Sequence, residues 1–413
     1  MEKRIARTLF FFCLLISPIL FATSSHPVSL TVMTFNIENG GTQVSFAKVV
    51  EAIRQSKADV VGLQEPWGNT ALLAKQLGWN YYNLAQHIIS RFPLYETSII
   101  QQSYTYIEVE TGQFVVLANV HLLNDAYGPD LIQAGFSAKE VVASEKKVRE
   151  PSVLPVIEQL ASLTQKGIPV FLVGDFNAGS HLDWTQSTVG KLPHHHYALK
   201  WPITQTLEHH GFIDSYHSIH PNPLQSPGYT WPADRPVVRN SADHFNPSAK
   251  DIPERIDFIF AAGPVKALNS KIIGESDIKP WPSDHRAVVS QFAVRPVRFS
   301  KKELIAIKAS PHNKPRISVS KKSVMSGETF LIHWKHAEGN RFDYIQITSD
   351  HSAQTCIYTK ARSDGFIVYT AQDDLDCMGN KWLWPLTPGS YTVSLMQDDS
   401  NKVLASTQLT VNT

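Results

Sequence analysis

Residues 168–177 read IPVFLVGDFN, an apolar run from Ile168 to Val173 followed by Gly174, Asp175, Phe176 and Asn177. The run has the length and composition of a buried strand. Burying a carboxylate or a carboxamide without a partner costs several kcal/mol, so a strand that ends on both must find partners for both. The same pattern recurs along the chain. TFNIEN ends a strand-like run at Asn36, LQEP at Glu65 and NVHL at His121. RIDFIF carries Asp257 inside an apolar run, and SDHRAV places Asp284 and His285 just before another.

Taken singly, each has a plain structural reading. Asn36 and Glu65 would be turn or cap residues. Asp257 would pair with its neighbour Arg255, and His121 would be a satisfied core histidine. As a set they fit those readings less well. Carboxylates, amides and two imidazoles at the ends of apolar strands make an oxygen-rich constellation. Such ligands suit a hard divalent cation, Mg²⁺ or Mn²⁺. No HExxH or paired CxxC points to zinc, and neither a GxSxG nor a Walker-type glycine loop is present. Two histidines beside carboxylates add acid–base capacity near neutral pH. The combination fits metal-assisted hydrolysis of a phosphoester.

The chain is 413 residues long, enough for roughly two or three domains of about 150 residues. Lys3, Arg4 and Arg7 precede the apolar stretch TLFFFCLLISPILFA. A secretory signal peptide is therefore expected over residues 1–24, and with it a secreted or periplasmic protein. A membrane anchor is the other reading, but the stretch is short for a span and Pro18 interrupts it. The full chain carries 38 basic and 37 acidic residues. Cleavage would remove three basic residues and one acid, leaving 35 and 36, a net charge of −1. No broad basic nucleic-acid surface is evident, which weakens a nuclease reading. Cys356 and Cys377 would remain, and an even count in an exported chain suggests one disulfide, with two buried free thiols as the alternative.

Strand-like runs at 28–37, 58–65, 114–122, 168–176, 255–260 and 285–294 alternate with helical patterns. One helix follows Ser45 as N-cap. Another runs through PSVLPVIEQLASLTQKG, with Pro151 in its first turn and Gly167 at its C-terminal end. Residues 180–254, rich in Pro, Trp and His, read as long surface loops. Residues 298–316 read as a linker and 317–413 as short strands with turn residues between them, in the manner of a small immunoglobulin-like β-sandwich.

The motifs TFNIEN, LQEP, ISRFPL, NVHL, GDFN, RIDFIF and SDHRAV, in this order, resemble those of the endonuclease/exonuclease/phosphatase superfamily, whose fold is that of DNase I. The resemblance covers roughly residues 28–295, so a catalytic domain is expected over 25–297. It implies an α+β fold, a four-layer αββα sandwich, followed here by a small all-β sandwich. It also implies a metal site at Asn36, Glu65 and Asp284, with Glu65 the principal ligand. His121 would contact the scissile phosphate, and Asp175 and Asn177 would orient water and phosphate. Asp257 and His285 would form an acid–base dyad.

The superfamily spans many substrates, and its fold does not name one. YGP, HLDWT and WPSDH stretches resemble a bacterial secreted branch. Tyr127, Asp183, Trp184 and Trp231 would line the mouth of the site, where aromatics could stack on a base or sugar or meet a lipid headgroup. In the alternative reading the tryptophans only pack the loops. His194, His195 and His196 read as a solvated loop rather than a metal site. The partner expected is a phosphoester of open class acted on by a monomer, with the C-terminal domain as an envelope or lipid-surface contact.

Overall fold

The computed structural model describes residues 26–413 apart from 98–102, 240–244, 249–250, 301, 304–306, 310–313, 338–342, 350–353, 360–364, 373–374, 378 and 398–401. The expected signal peptide lies outside the described residues.

The first part of the chain runs β1 (Val28–Asn36), α1 (Phe46–Ser56), β2 (Val60–Gln64), α2 (Thr70–Leu77), β3 (Tyr81–Asn83), β4 (Ile88–Ser90), β5 (Leu94–Thr97), β6 (Thr105–Glu110) and β7 (Gln113–His121). It continues through α3 (Gly128–Gln133), α4 (Ala138–Val148), α5 (Glu150–Thr164), β8 (Val170–Asp175), α6 (Pro202–His209), β9 (Ile213–Asp214) and α7 (Ser215–Ile219). It then forms β10 (Asp257–Ala262), β11 (Val265–Ile273), β12 (Ala287–Val294), β13 (Val297–Arg298) and β14 (Ile307–Ala309). One sheet has the order β11-β12-β1-β2-β4-β3. The other has the order β14-β5-β6-β7-β8-β10-β9, with β13 also on β7.

Strand alternation builds the layers. Side chains two apart share a face, so Leu30 and Val32 of β1 meet Phe171 and Val173 of β8 and Ile259 of β10 between the sheets. Met33 and Phe35 face the other way, onto Val49, Val50 and Ile53 of α1 and Leu73 of α2. On the second sheet Val170 and Leu172 pack on Val153, Ile157 and Leu160 of α5. The result is helix, sheet, sheet, helix, the four-layer αββα sandwich. Close approach of the sheets requires a glycine on β2: a Cβ at Gly62 would lie 2.5 Å from Val173 and 2.7 Å from Asn119.

The helix signals behave unevenly. Pro151 enters the first turn of α5, and Gly167 closes it at φ 77° with its N–H on Thr164. Ser45 takes the N-cap backbone conformation of α1 but makes no side-chain capping bond. The segment expected to be loops, 180–254, contains α6, β9 and α7, and Trp184 and Trp201 anchor a buried cluster there. Within residues 298–316, read as a linker, Arg298 completes β13 on β7 and β14 pairs with β5.

Beyond residue 314 the described strands form a three-stranded and a five-stranded sheet, with Ile332, Trp334, Ile345, Tyr369, Val393 and Leu395 in their core. Cys356 and Cys377 are joined by a disulfide, Cα atoms 5.4 Å apart. Among the described residues no helix is long and apolar enough to cross a membrane.

Candidate active site

Register brings the strand ends together. His121 of β7 pairs with Asp175 of β8, and Asp175 pairs with Asp257 of β10. All three follow the alternation that faces the other sheet, where Asn36 ends β1 beside Gln64 of β2. The ends of β1, β2, β7 and β8 and the start of β10 therefore meet in one polar cluster between the sheets.

Beneath it lies a bonded floor. Gln64 Nε2 donates to Thr34 Oγ1 at 3.0 Å and to Asn119 Oδ1 at 2.7 Å. Asn119 Nδ2 donates to the carbonyls of Leu63 and Gln86. These residues sit inside apolar runs, and only the alternation of β1, β2 and β7 could have marked them as facing the site.

The centre is His285. Its Nδ1 lies 2.9 Å from Asp257 Oδ2 and its Nε2 lies 3.7 Å from Asp175 Oδ2. The backbone holds the ring: Ser283 Oγ accepts the His285 N–H at 3.0 Å and donates to the Asn36 carbonyl at 2.6 Å. Trp281 Nε1 donates to the His285 carbonyl. Burial opposes a charge on the imidazole, but Asp257, Asp284 and Asp175 outweigh it and hold its pKa well above the ordinary value. Asn36 Nδ2 donates to Asp175 Oδ2 at 3.1 Å and to Glu65 Oε1 at 3.2 Å. His121 Nε2 lies 3.5 Å from Asp175 Oδ2 and 4.0 Å from Glu65 Oε1. Glu65 turns toward this cluster from a left-handed backbone, φ 56°, and its Oε2 accepts the Asn39 N–H.

The DFN turn differs from a continuing strand. β8 stops at Asp175, Asn177 takes φ 48°, and its N–H folds back onto Asp175 Oδ1 at 2.8 Å. Its carboxamide donates to the Leu122 carbonyl at 2.9 Å. Asp175 and Asn177 still border the same cavity, which measures about 200 Å³. Glu65, His121, His285, Tyr127 and Trp231 line it too.

Two mouth residues are elsewhere. Asp183 and Trp184 are buried and do not line the cavity. Asp183 holds Arg255, whose Nε donates to it at 2.8 Å, and Arg255 Nη1 donates to Asp214 at 2.7 Å. Arg255 therefore does not serve Asp257. Trp184 donates from Nε1 to Glu254 at 3.1 Å. Burial pushes the Glu254 carboxyl up to about 8. His195 leaves the solvated-loop reading as well: it is buried and stacks on Trp184 with ring centroids 3.9 Å apart.

Burial lowers the His195 pKa from 6.5 to about 4. The folded state prefers the neutral ring, so this contribution to stability is complete above about pH 6.5 and is lost as pH falls toward 4. Melting temperature measured from pH 7 to 4 should therefore fall less steeply in His195→Gln than in the wild type. Equal slopes would refute that linkage.

The donor set fits a divalent cation. Asp175, Asp257 and His285 each offer a ligand atom, all within 4.8 Å of one another. Asp257 Oδ1 is buried with no hydrogen-bond partner. Asp284 receives Trp231 Nε1 at 3.2 Å, yet burial raises its carboxyl to about 8, and Glu38 and Glu65 add to the rise. Burial and Asp257 likewise raise Asp175. This clustered negative charge is what a hard cation would relieve. The tightest group thus differs from the expected set of Asn36, Glu65 and Asp284. As placed, Asn36 turns its NH₂ toward the carboxylates, while its Oδ1 accepts the Glu38 N–H.

Glu38 and Arg235 were not legible in the sequence. They form a buried ion pair, and Glu38 Oε2 also accepts the Asp284 N–H at 2.9 Å. The pair ties the loop after Trp231 to the residue next to His285.

A 31% identical relative over 297 residues, an uncharacterized protein of Caenorhabditis elegans, matches 64% of this chain and 91% of its own length. Solved structures are similar at lower identity. The endonuclease/exonuclease/phosphatase from Beutenbergia cavernae is 15% identical, covering 92% of this chain and 99% of its own, with a TM-score of 0.41. An AP endonuclease from Archaeoglobus fulgidus is 16% identical over 63% of this chain and 98% of its own, TM-score 0.39. The human Nocturnin catalytic domain with bound sulfate is 15% identical over 66% and 95%, TM-score 0.39. Residues 33–285, which span the strand-end cluster from β1 to His285, match the Endonuclease/Exonuclease/phosphatase family, and the chain belongs to it.

Proposed function

We propose that the protein is an exported, Mg²⁺- or Mn²⁺-dependent phosphoesterase that hydrolyses a phosphodiester by attack of water. The observation that carries this reading is the His285–Asp257 pair, 2.9 Å apart, with the far ring nitrogen turned to Asp175 in a small cavity.

Asp175 and Glu65 would hold the cation, which when bound would offset charge growing on the phosphate. Asp257 fixes the His285 ring and favours its protonated form. His285 thereby holds a proton at Nε2, facing the position of the ester. Asp175 accepts from Asn36 and from the backbone of Asn177, and its remaining acceptor capacity can orient a water. His121, half-buried with its Nε2 3.5 Å from Asp175 Oδ2, would meet a phosphate oxygen. Asn177 holds the turn that shapes this wall. The charge that develops in phosphoryl transfer would thus meet preset donors in a partly dry site.

The test is a substrate panel of phosphomonoesters, nucleic acid, sphingomyelin, phosphoinositides and nucleotides, each with Mg²⁺, with Mn²⁺ and with EDTA. Hydrolysis that EDTA abolishes supports the reading. Plasmid nicking would make the protein a nuclease, and headgroup release from liposomes would make it a lipid phosphodiesterase. An inert response to every ester with either metal would leave a binding protein as the better description. Export is tested by fractionating cells and sequencing the mature N-terminus.

A further inference from the structure

We propose that Arg235 is a positioning residue for hydrolysis: through the Glu38 carboxylate it fixes the backbone at Asp284, next to His285, and through the Phe245 carbonyl it holds the Trp231 wall of the cavity. The inference rests on the phosphoesterase reading and deepens it.

Arg235 is buried and does not line the cavity. A guanidinium carries five N–H donors in a rigid fork, and Arg235 places all five. Nε donates to Glu38 Oε2 at 2.6 Å, and Nη2 donates to Glu38 Oε1. Nη2 also donates to the Phe245 carbonyl at 3.1 Å. Nη1 donates to the Pro236 carbonyl at 3.0 Å and to Asn246 Oδ1 at 2.8 Å. One side chain therefore joins the turn after β1 to two stretches of the loop that follows Trp231.

Each end of that link continues into the site. Glu38 Oε2 accepts the Asp284 N–H at 2.9 Å, and the Glu38 N–H donates to Asn36 Oδ1 at 3.1 Å. Glu38 thus stands between the residue that ends β1 and the residue before His285. At the other end, Phe245 stacks on Trp231, centroids 5.5 Å apart at 25°, and Trp231 lines the cavity. The two routes meet at Asp284. Glu38 takes its N–H, Trp231 Nε1 donates to its Oδ2 at 3.2 Å, and its carbonyl accepts the Ala233 N–H at 2.6 Å.

Fold stability alone does not call for such a link. Taking two charges out of water offsets their attraction, so a buried ion pair gains little over apolar residues of the same volume. Glu38 also takes φ 52° and ψ 112°, outside the wells open to L-residues. Backbone of that kind persists only where its surroundings over-determine it, and the bonds to Arg235, Asp284 and Asn36 do so. A link that is costly to bury, strained at one end and bonded into the site at both serves placement of the reacting groups. There a displacement of about 1 Å can cost about 10²-fold in rate.

Arg235→Lys keeps a positive charge opposite Glu38 but carries its three donors on one nitrogen, which cannot reach Glu38, Phe245 and Asn246 together. With Mg²⁺ or Mn²⁺ present, its kcat on bis(p-nitrophenyl) phosphate should fall about tenfold to a hundredfold. Inorganic phosphate, titrated calorimetrically into the metal-loaded variant, should bind with wild-type affinity, because Arg235 does not line the cavity. Asn246→Ala spares the ion pair and should lower kcat in the same direction by a smaller factor. Rates are taken well below the melting temperature of each variant, so that any loss is per folded molecule. An arginine serving only the fold would lower the melting temperature and leave the kcat of the folded variants unchanged, and that result would overturn the assignment. Phosphate affinity lost with kcat retained would overturn it as well, by making Arg235 a binding residue. Wild-type protein that cleaves no phosphoester with either metal would sink the phosphoesterase reading and the assignment together. Equal kcat in an active wild type and the variants would sink the assignment alone.

Discussion

His285→Ala should lower turnover by about two to four orders of magnitude while the protein stays folded. General acid–base catalysis is worth about 10²–10⁴-fold, and of the two histidines among the described residues lining the cavity, only His285 has a carboxylate hydrogen-bonded to its ring. His121 reaches Asp175 and Glu65 only at 3.5 and 4.0 Å, so it cannot replace a ring held by Asp257 at 2.9 Å. The fold should survive because the bonds that place residue 285 are backbone ones, to Ser283 Oγ and Trp281 Nε1. Asp257→Asn gives a second reading of the same device: the ring stays in place but loses the anion that favours its proton. Turnover should fall steeply there too, with circular dichroism unchanged. A loss below about tenfold in His285→Ala would exclude it as the acid or base.

Arg255→Ala should destabilise the protein by about 3–5 kcal/mol, as is typical when one partner of a buried ion pair is removed. Arg255 is buried between Asp183 and Asp214. Its guanidinium also lies 4.6 Å over Phe258 and 5.5 Å over Tyr216. Deleting it strands two buried carboxylates and opens space beside β10, whose first residue is Asp257. Urea unfolding checks the magnitude. The double variant Arg255→Met with Asp183→Asn should recover part of the loss, since fewer charges are left bare. A change below about 1 kcal/mol in Arg255→Ala would mean that water reaches the pair.

The contrast between His285 and Arg255 shows what was readable. Asp175, Asp257, His285, His121, Asn36 and Glu65 were visible because each interrupts or ends an apolar run, and such a position has few local explanations. Their convergence followed from strands long enough to fix register. Arg255 stands two residues before Asp257, so proximity in sequence suggested that pair; the fold instead sends Arg255 to Asp183 and to Asp214 at the end of β9. Asp183 and Trp184 were misplaced for the same reason. An acid and an indole in a Pro- and His-rich segment look like mouth residues, and nothing local says that Arg255 and Glu254 will bury them. Glu38, Arg235, Gln64 and Asn119 were invisible because their partners lie tens to hundreds of positions away. α3 and α6 were unread because the helical periodicity there is short, and α4 because its buried residues are Val141 and the charged Glu145.

The placement of β1 has a consequence for how the protein is made. That strand lies between β2 and β12, and Val28 pairs with Val294 at the far end of the catalytic unit. The first strand to leave the ribosome must therefore wait for nearly the last before its sheet can close. Asn36 likewise cannot meet His285 until some 250 further residues have been synthesised. Contacts this distant are slow to form, so an incomplete nascent chain would carry every early motif and yet have no centre capable of cutting a phosphoester.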